Sequence, residues 1–318
     1  CSPRRSTNIC SKFAFEIVLS ETVRLKVDVA VFIGAVPRVR RFMLNVFHIS
    51  DLHFTSQPSG QLRDAALASV RSILELASTL RTNGTLGADT CLFVTGDIVQ
   101  SGEVPVGKLS DFEAVQNALM EPLLKTLGIG PDRVFLVPGN HELDRTAVPE
   151  SEWLIEGHYV SQKVCEADIK RDLNSKVSTF LDFVKRHGYR SVTKEQPRIA
   201  TFEVGGQQIV CFNGLAGAYS RKGSGDKGEL FVLDSELAND LTAIQKHATV
   251  LTHHPLSWFA DSCGSQLKEF FSTRQCRVFT GHIHDRGIDW TETSKGDFVT
   301  VQAGASAEVG TPHQVAIA

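Results

Sequence analysis

No two cysteines in this 318-residue chain are spaced Cys-x-x-Cys, and their total of seven is odd. Scattered thiols of this kind argue against a disulfide framework and against a cysteine-based zinc site. Cys91, Cys211 and Cys276 sit in or beside apolar runs, where a free thiol behaves as a small hydrophobe. A reducing, cytoplasmic compartment is therefore expected. Neither sign of charge is in excess: 33 Lys and Arg face 36 Asp and Glu, leaving a net charge of -3. That balance gives no electrostatic basis for capturing a nucleic-acid polymer as a partner. Long apolar runs are also missing. Val27 to Val36 is broken by Asp28 and Gly34, closed by Pro37, and too short to span a bilayer, so no membrane partner is expected. The first residues, with Arg4 and Arg5, lack a signal-peptide core and cleavage site, and no internal repeat or low-complexity tract follows.

What is present is an alternation of strand and helix. Met43 directly precedes the first strong strand, and the chain begins with Cys1. Residues 1–42 are therefore expected to be an amino-terminal extension, poorly integrated and upstream of a native start at Met43. Residues 43–318 would form one large α/β domain. Short apolar, β-favouring runs occur at Leu44 to Ile49, Cys91 to Thr95, Arg133 to Val137, Ala248 to Thr252 and Cys276 to Thr280. Gln61 to Arg81 has a helical apolar stripe, ended by Asn83-Gly84. Asp111 to Leu127 reads as a helix with Ser110 as N-cap and Glu113 completing a capping box. Ile199 to Val204 and Gln207 to Asn213, joined by Gly205-Gly206, read as a hairpin. Asp234 to His247 reads as a further helix. Between Glu150 and Arg198 lies a charged, mostly helical excursion, with apolar residues at helical spacing from Ser161 to His187. It is expected to be an insertion that covers the site or packs on its flank.

Each of the five β-like runs is followed at once by a polar cluster. The clusters are Asp51-Leu52-His53, Gly96-Asp97, Gly139-Asn140-His141-Glu142, His253-His254-Pro255 and Gly281-His282-Ile283-His284. Open α/β sheets gather their sites at the carboxyl ends of strands, where these residues fall. The clusters offer carboxylates, an amide oxygen and imidazoles, but no thiolate. Such a mixed N/O set suits Mn, Fe or Zn better than Mg or Ca. Seven potential ligands exceed the needs of one four- or five-coordinate ion. Two ions sharing a bridging carboxylate fit the count. Glycines 96, 139 and 281 are expected to permit tight turns that aim the next side chain.

In this order the clusters resemble those of the calcineurin-like metallophosphoesterase superfamily, from Phe47 to about Ala305. Gly-Asp alone carries no signal and Asp-x-His little; Gly-Asn-His-Glu and Gly-His-x-His each carry more, and the ordered set is distinctive. The resemblance implies a four-layer α-β-β-α sandwich of two mixed sheets flanked by helices, with a binuclear metal site at strand ends. It implies that Asp51, His53 and His284 bind one metal, that Asn140, His253 and His282 bind the other, and that Asp97 bridges them. His141 would be catalytic, donating a proton to the leaving oxygen or stabilising its charge. Hydroxide held between the ions would attack phosphorus in a small phosphoester substrate.

Protein phosphatases of the superfamily commonly place an Asp and an Arg shortly after Gly-Asp. This chain instead reads Gly96-Asp97-Ile98-Val99-Gln100-Ser101-Gly102. That segment and His48-Ile49-Ser50-Asp51-Leu52-His53 look more like the cyclic-nucleotide and glycerophosphodiester phosphodiesterase branch. A phosphodiesterase acting on small diesters is thus the first reading. A phosphomonoesterase or nuclease of the same superfamily is the second, and a non-catalytic module of a larger signalling or defence protein the third. His141-Glu142 begins the zinc-protease motif His-Glu-x-x-His, but Arg145 holds the partner position. His48 reads as a hydrogen-bonded structural histidine. Of the pair at 253 and 254, strand alternation lets only one face the metals, and the family pattern selects His253. Trp258 and Phe259 read as rim packing.

Overall fold

In the computed structural model, residues 10–20, 23–32, 44–56, 61–102, 110–144, 174–214, 227–228, 230, 239, 241–304 and 314–317 are described. Met43 and Arg145 lie outside them.

The amino-terminal part contributes an antiparallel ribbon, β1 (Cys10–Ser20) with β2 (Val23–Phe32), extended by the last strand of the chain, Gln314–Ile317, parallel to β2. Next come β3 (Val46–Ile49), α1 (Gln61–Thr82) and β4 (Cys91–Val94). Ala66, Val70, Ile73, Ala77 and Leu80 of α1 recur at steps of three and four and are all buried, so the stripe read from sequence is the packed face. Asn83 and Gly84 end the helix; Gly84 adopts a φ of 76°, a left-handed conformation open to glycine without penalty.

The expected helix over 111–127 forms with a change in pitch. It runs as α2 (Asp111–Val115), a π-turn at Gln116–Met120, and α3 (Glu121–Leu127). Pro122 has no N–H to give, and its ring crowds the carbonyl four residues earlier. Widening the turn accommodates it, with Glu121 N–H reaching back to Gln116 O. Ser110 caps as expected, its hydroxyl accepting from Glu113 N–H at 3.2 Å, but the Glu113 carboxylate is engaged by Arg186. Only half of the expected capping box is made.

β5 (Val134–Leu136) completes a three-stranded, wholly parallel sheet in the order β3-β4-β5. After it comes α4 (Ser178–His187), within the described part of the excursion, 174–198; residues 145–173 lie outside. Phe180 and Phe183 of α4 pack on Phe112 of α2, which sets this helix on the domain's flank. The hairpin β6 (Ile199–Val204) and β7 (Gln207–Phe212) forms as read, with Gly205 and Gly206 at φ 55° and 73°. β8 (Thr249–Leu251) follows. Of the expected helix before it, residues 239, 241 and 242 are helical, 243–247 are turn or irregular with His247 at φ 66°, and the rest lie outside the described residues.

Then come α5 (Asp261–Arg274), β9 (Arg277–Thr280), β10 (Gly287–Thr293) and β11 (Gly296–Gln302). The second sheet is six-stranded and mixed, in the order β10-β11-β9-β8-β7-β6. The two sheets face each other through rings: Phe93 of β4 meets Phe279 of β9 at 5.1 Å, and Phe135 of β5 meets Phe202 of β6 at 5.7 Å. α1 with α3, and α5 against β10 and β11, close the outer faces. The α-β-β-α sandwich is therefore present, with one parallel sheet where two mixed ones were expected. Nonpolar strands buried on both faces permit that parallel arrangement.

His48 illustrates the interface. It is wholly buried on β3, its Nε2 lies 2.8 Å from Thr95 Oγ1, and its ring meets the edge of Phe279. The hydrogen-bonded structural role holds. Burial pushes its pKa from 6.5 down to about 3. The folded value is thus below the unfolded one, so the unfolded chain takes up the proton first as pH falls. This stability term is fully present above pH 6.5 and is lost as pH falls toward about 3, at up to ~1.4 kcal/mol per pH unit. His48→Gln, which can keep the Thr95 contact, should flatten the acid limb by about that slope. Urea unfolding between pH 7 and pH 4 measures it; an unchanged slope would mean that His48 titrates normally.

Candidate metal centre

The five clusters meet. β3, β4 and β5 deliver the first three, β8 and β9 the last two, and the loops beyond the strand ends are stitched to one another. Asp51 N–H donates to Gly96 O at 3.1 Å, His53 N–H to Asp97 O at 2.9 Å and Gly281 N–H to His253 O at 2.9 Å. Side chains continue the stitching: His282 N–H donates to Asp51 Oδ2 at 2.9 Å, and His141 N–H to Asp97 Oδ1 at 2.8 Å.

Asp51, His53, Asp97, His282 and His284 all have positive φ, between 47° and 73°. Non-glycine residues rarely adopt this backbone, and such strain concentrates where surrounding structure over-determines a functional geometry. Sequence reading missed it; no residue type in the clusters announces it. The glycines also differ from expectation. Gly96, at φ 91°, does make a left-handed turn. Gly139 and Gly281 do not: they are small because other segments of the chain pass close. A Cβ at Gly139 would fall on Asp97 Oδ1 and 2.6 Å from Asp97 N, and one at Gly281 would fall on Ser50 Oγ and 2.6 Å from Asp51 Oδ2. Gly139→Ala should therefore cost ~1–3 kcal/mol by overpacking and weaken metal binding. Gly287→Ala, where nothing lies within 4 Å, should stay within ~0.5 kcal/mol of the parent. Denaturant unfolding of the two variants makes the comparison, and equal stabilities would refute the close-approach reading.

Four overlapping groups of side chains place their ligand atoms within 4.8 Å of one another: Asp51, His53 and His284; Asp51, Asp97 and His253; His53, Asp97 and His141; and His253, His254 and His282. His253 Nε2 also lies 3.2 Å from Asn140 Oδ1, 3.2 Å from Asp97 Oδ2 and 3.1 Å from His282 Nδ1. All seven residues read as ligands from the sequence are thus brought together, with His141 beside them; its ring centroid is 4.5 Å from that of His53. His254 is closer than strand alternation allowed. β8 ends at Leu251, so alternation has lapsed by residue 254, and its ring centroid stands 4.3 Å from that of His282.

These residues fit a pair of metal ions. Asp51 Oδ1, His53 Nδ1 and both His254 nitrogens are buried without a hydrogen-bond partner, an arrangement that is costly unless something else engages them. Two histidines have their tautomers set from behind. His253 donates Nδ1–H to Thr95 O at 2.6 Å and His141 donates Nδ1–H to Gln100 O at 2.8 Å, leaving each Nε2 for the site.

Charge is arranged accordingly. Burial would by itself push Asp97 up, but the His253 charge and hydrogen bond outweigh it, with His141 and His53 adding, and the carboxyl is held well below its usual range. In return His253, despite its burial, is pushed up to about 9 by Asp97 and then Asp51. Burial raises Asp51 and lowers His53 to about 4 and His282 to about 3, so those two imidazoles are neutral, the ligating form, at pH 7. Burial also pushes Glu142 up to about 7, with the Asp97 charge adding.

Among solved structures, the chain is similar to a 5'-nucleotidase from Candida albicans, at 16% identity and a TM-score of 0.42, over 84% of this chain and 47% of that one. It is similar also to a hypothetical protein from Thermus thermophilus, at 16% identity and 0.41, over 83% and 79% of the two chains. A third is the sulfate thiohydrolase SoxB of Thermus thermophilus, at 12% and 0.40, over 82% and 52%. The chain thus spans about half the length of the nucleotidase and of SoxB. No curated protein matches it. The family whose sequence pattern matches is described as calcineurin-like phosphoesterase, over residues 44–286. That span is well over half of the chain and holds every one of the five clusters, so this protein belongs to the calcineurin-like phosphoesterase family.

Proposed function

We propose that this protein, a metal-dependent phosphoric ester hydrolase by family, acts on small phosphodiesters. The observation that carries the reading is the segment after the bridging carboxylate. Gly96-Asp97 runs on as Ile98-Val99-Gln100-Ser101-Gly102, without the Asp and Arg that the protein-phosphatase pattern places shortly after Gly-Asp, and Ile98 and Val99 are buried and apolar. A phosphomonoester brings about two negative charges at pH 7; a diester brings one and needs less cationic compensation. Trp258 supports the same reading. It is half-buried, and its ring centroid is 4.0 Å from that of His282, where it offers an apolar wall to the second ester substituent.

Asp51, His53 and His284 would hold one ion, Asn140, His253 and His282 the other, with Asp97 shared. Mn, Fe or Zn suit this N/O set. When bound, the ion pair supplies Lewis acidity and lowers the pKa of water at the site. The chain supplies the rest. Strand ends hold the ligands rigid, and His141, its Nδ1 fixed on Gln100 O, presents Nε2 to give a proton to the leaving oxygen. A cytoplasmic setting is part of the proposal, supported by the buried free thiols Cys91, Cys211, Cys263 and Cys276. No described helix is long and apolar enough to cross a membrane.

A panel of cyclic nucleotides, glycerophosphodiesters, bis-aryl phosphodiesters and phosphomonoesters, assayed with metal content measured in parallel, tests the proposal. Diesters should be turned over with the higher kcat/KM. Preference for monoesters would move the protein to the second reading. Two bound ions with no turnover would make it a non-catalytic module.

A further inference from the structure

Three carboxylates are wholly buried among the described residues, Asp51, Asp97 and Glu142. The first two belong to the ligand groups; Glu142 belongs to none. Its oxygens are fully committed elsewhere. Oε1 accepts from Ile98 N–H at 2.8 Å and Val99 N–H at 3.2 Å, while Oε2 accepts from Asp97 N–H at 2.7 Å and Gly139 N–H at 2.6 Å. A carboxylate with four such bonds has no capacity left to ligate an ion or pass a proton.

The four donors come from two loops. Three consecutive amides, 97 to 99, follow β4, and the fourth, Gly139, follows β5. Consecutive N–H groups converging on one anion form a nest, and the nest is what holds Asp97 at its φ of 51°. Glu142 is fixed from its backbone side too, since a Cβ at Gly102 would fall on the Glu142 carbonyl oxygen. A single side chain therefore ties the backbone of the shared carboxylate to the residue immediately before Asn140.

We propose that Glu142 is a positioning residue for the metal centre, setting the spacing between Asp97 and Asn140 and with it the affinity of the Asn140, His253 and His282 site. This rests on the two-ion reading above. The other site, held also by Asp51, His53 and His284, depends on it less.

Glu142→Gln has the same shape but turns an NH2 group toward backbone donors, whereas Glu142→Asp keeps the charge one methylene short. Both are to be compared with the parent as full chains. Circular dichroism and thermal unfolding of the metal-free proteins report the fold, and amide hydrogen exchange reports residues 97–99 and 139. Manganese titration by calorimetry, with EPR to tell single from coupled ions, reports the sites. The Gln variant should fold, exchange faster at those four amides, retain the first manganese and bind the second ~10–100-fold more weakly. Turnover should recover as manganese is raised, and the Asp variant should recover part of the lost affinity. Parent-like exchange and affinities in the Gln variant would overturn the proposal. So would equal losses at both sites, or loss of fold in both variants, which would make Glu142 a folding residue. A parent protein that takes up fewer than two ions would instead sink the two-ion reading itself, so the two failures are distinguishable.

Discussion

Asp97→Asn is expected to lower turnover by ~10³-fold or more, equivalent to about 4 kcal/mol of transition-state stabilisation, and to release at least one of two bound ions. Asparagine keeps the shape and tolerates the left-handed backbone that Asp97 adopts at φ 51°. Its amide oxygen can still accept the His141 N–H that Asp97 Oδ1 receives at 2.8 Å. The change therefore removes charge without removing the turn. What is lost is the anion shared between the two halves of the site, including its contact with His253 Nε2 at 3.2 Å. Metal analysis and steady-state kinetics on the purified variant make the check, with circular dichroism to show that the fold persists. Full activity with two ions bound would refute the bridging role.

His141→Ala should have the second largest effect and the opposite metal phenotype. Both ions should stay, because the backbone N–H of residue 141 still reaches Asp97, while turnover falls by ~100-fold or more, as expected on losing a general acid. The loss should be greatest for substrates with poor leaving groups, which need the proton most. His141 lies in a possible ligand group with His53 and Asp97, so a variant that sheds metal would reassign it as a ligand.

The features legible in the sequence share one property: they depend on local periodicity or on residue type. The stripe on α1 needs only a 3.6-residue repeat, and the Gly205-Gly206 hairpin only two residues free to take positive φ. The five clusters were visible because each ends a short apolar run and carries residue types that bind metals. The π-turn at 116–120 was invisible because Pro122 permits several outcomes, a kink, a break or a widened turn, and packing chooses among them. The parallel three-stranded sheet was hidden for a related reason. Short runs buried on both faces do not encode the direction of their partners.

By itself, the sequence determined which residues can ligate metal, the order in which they occur, and the strand ends that carry them. Only the tertiary structure decided how they meet. It showed that Gly139 and Gly281 are small to admit Asp97 and Ser50, that five of the residues read as ligands sit on strained backbone, and that Glu142 binds the loops of Asp97 and Asn140 together. These are contacts between segments tens to hundreds of residues apart, and they exist only once burial of the strands has brought those segments within hydrogen-bonding distance.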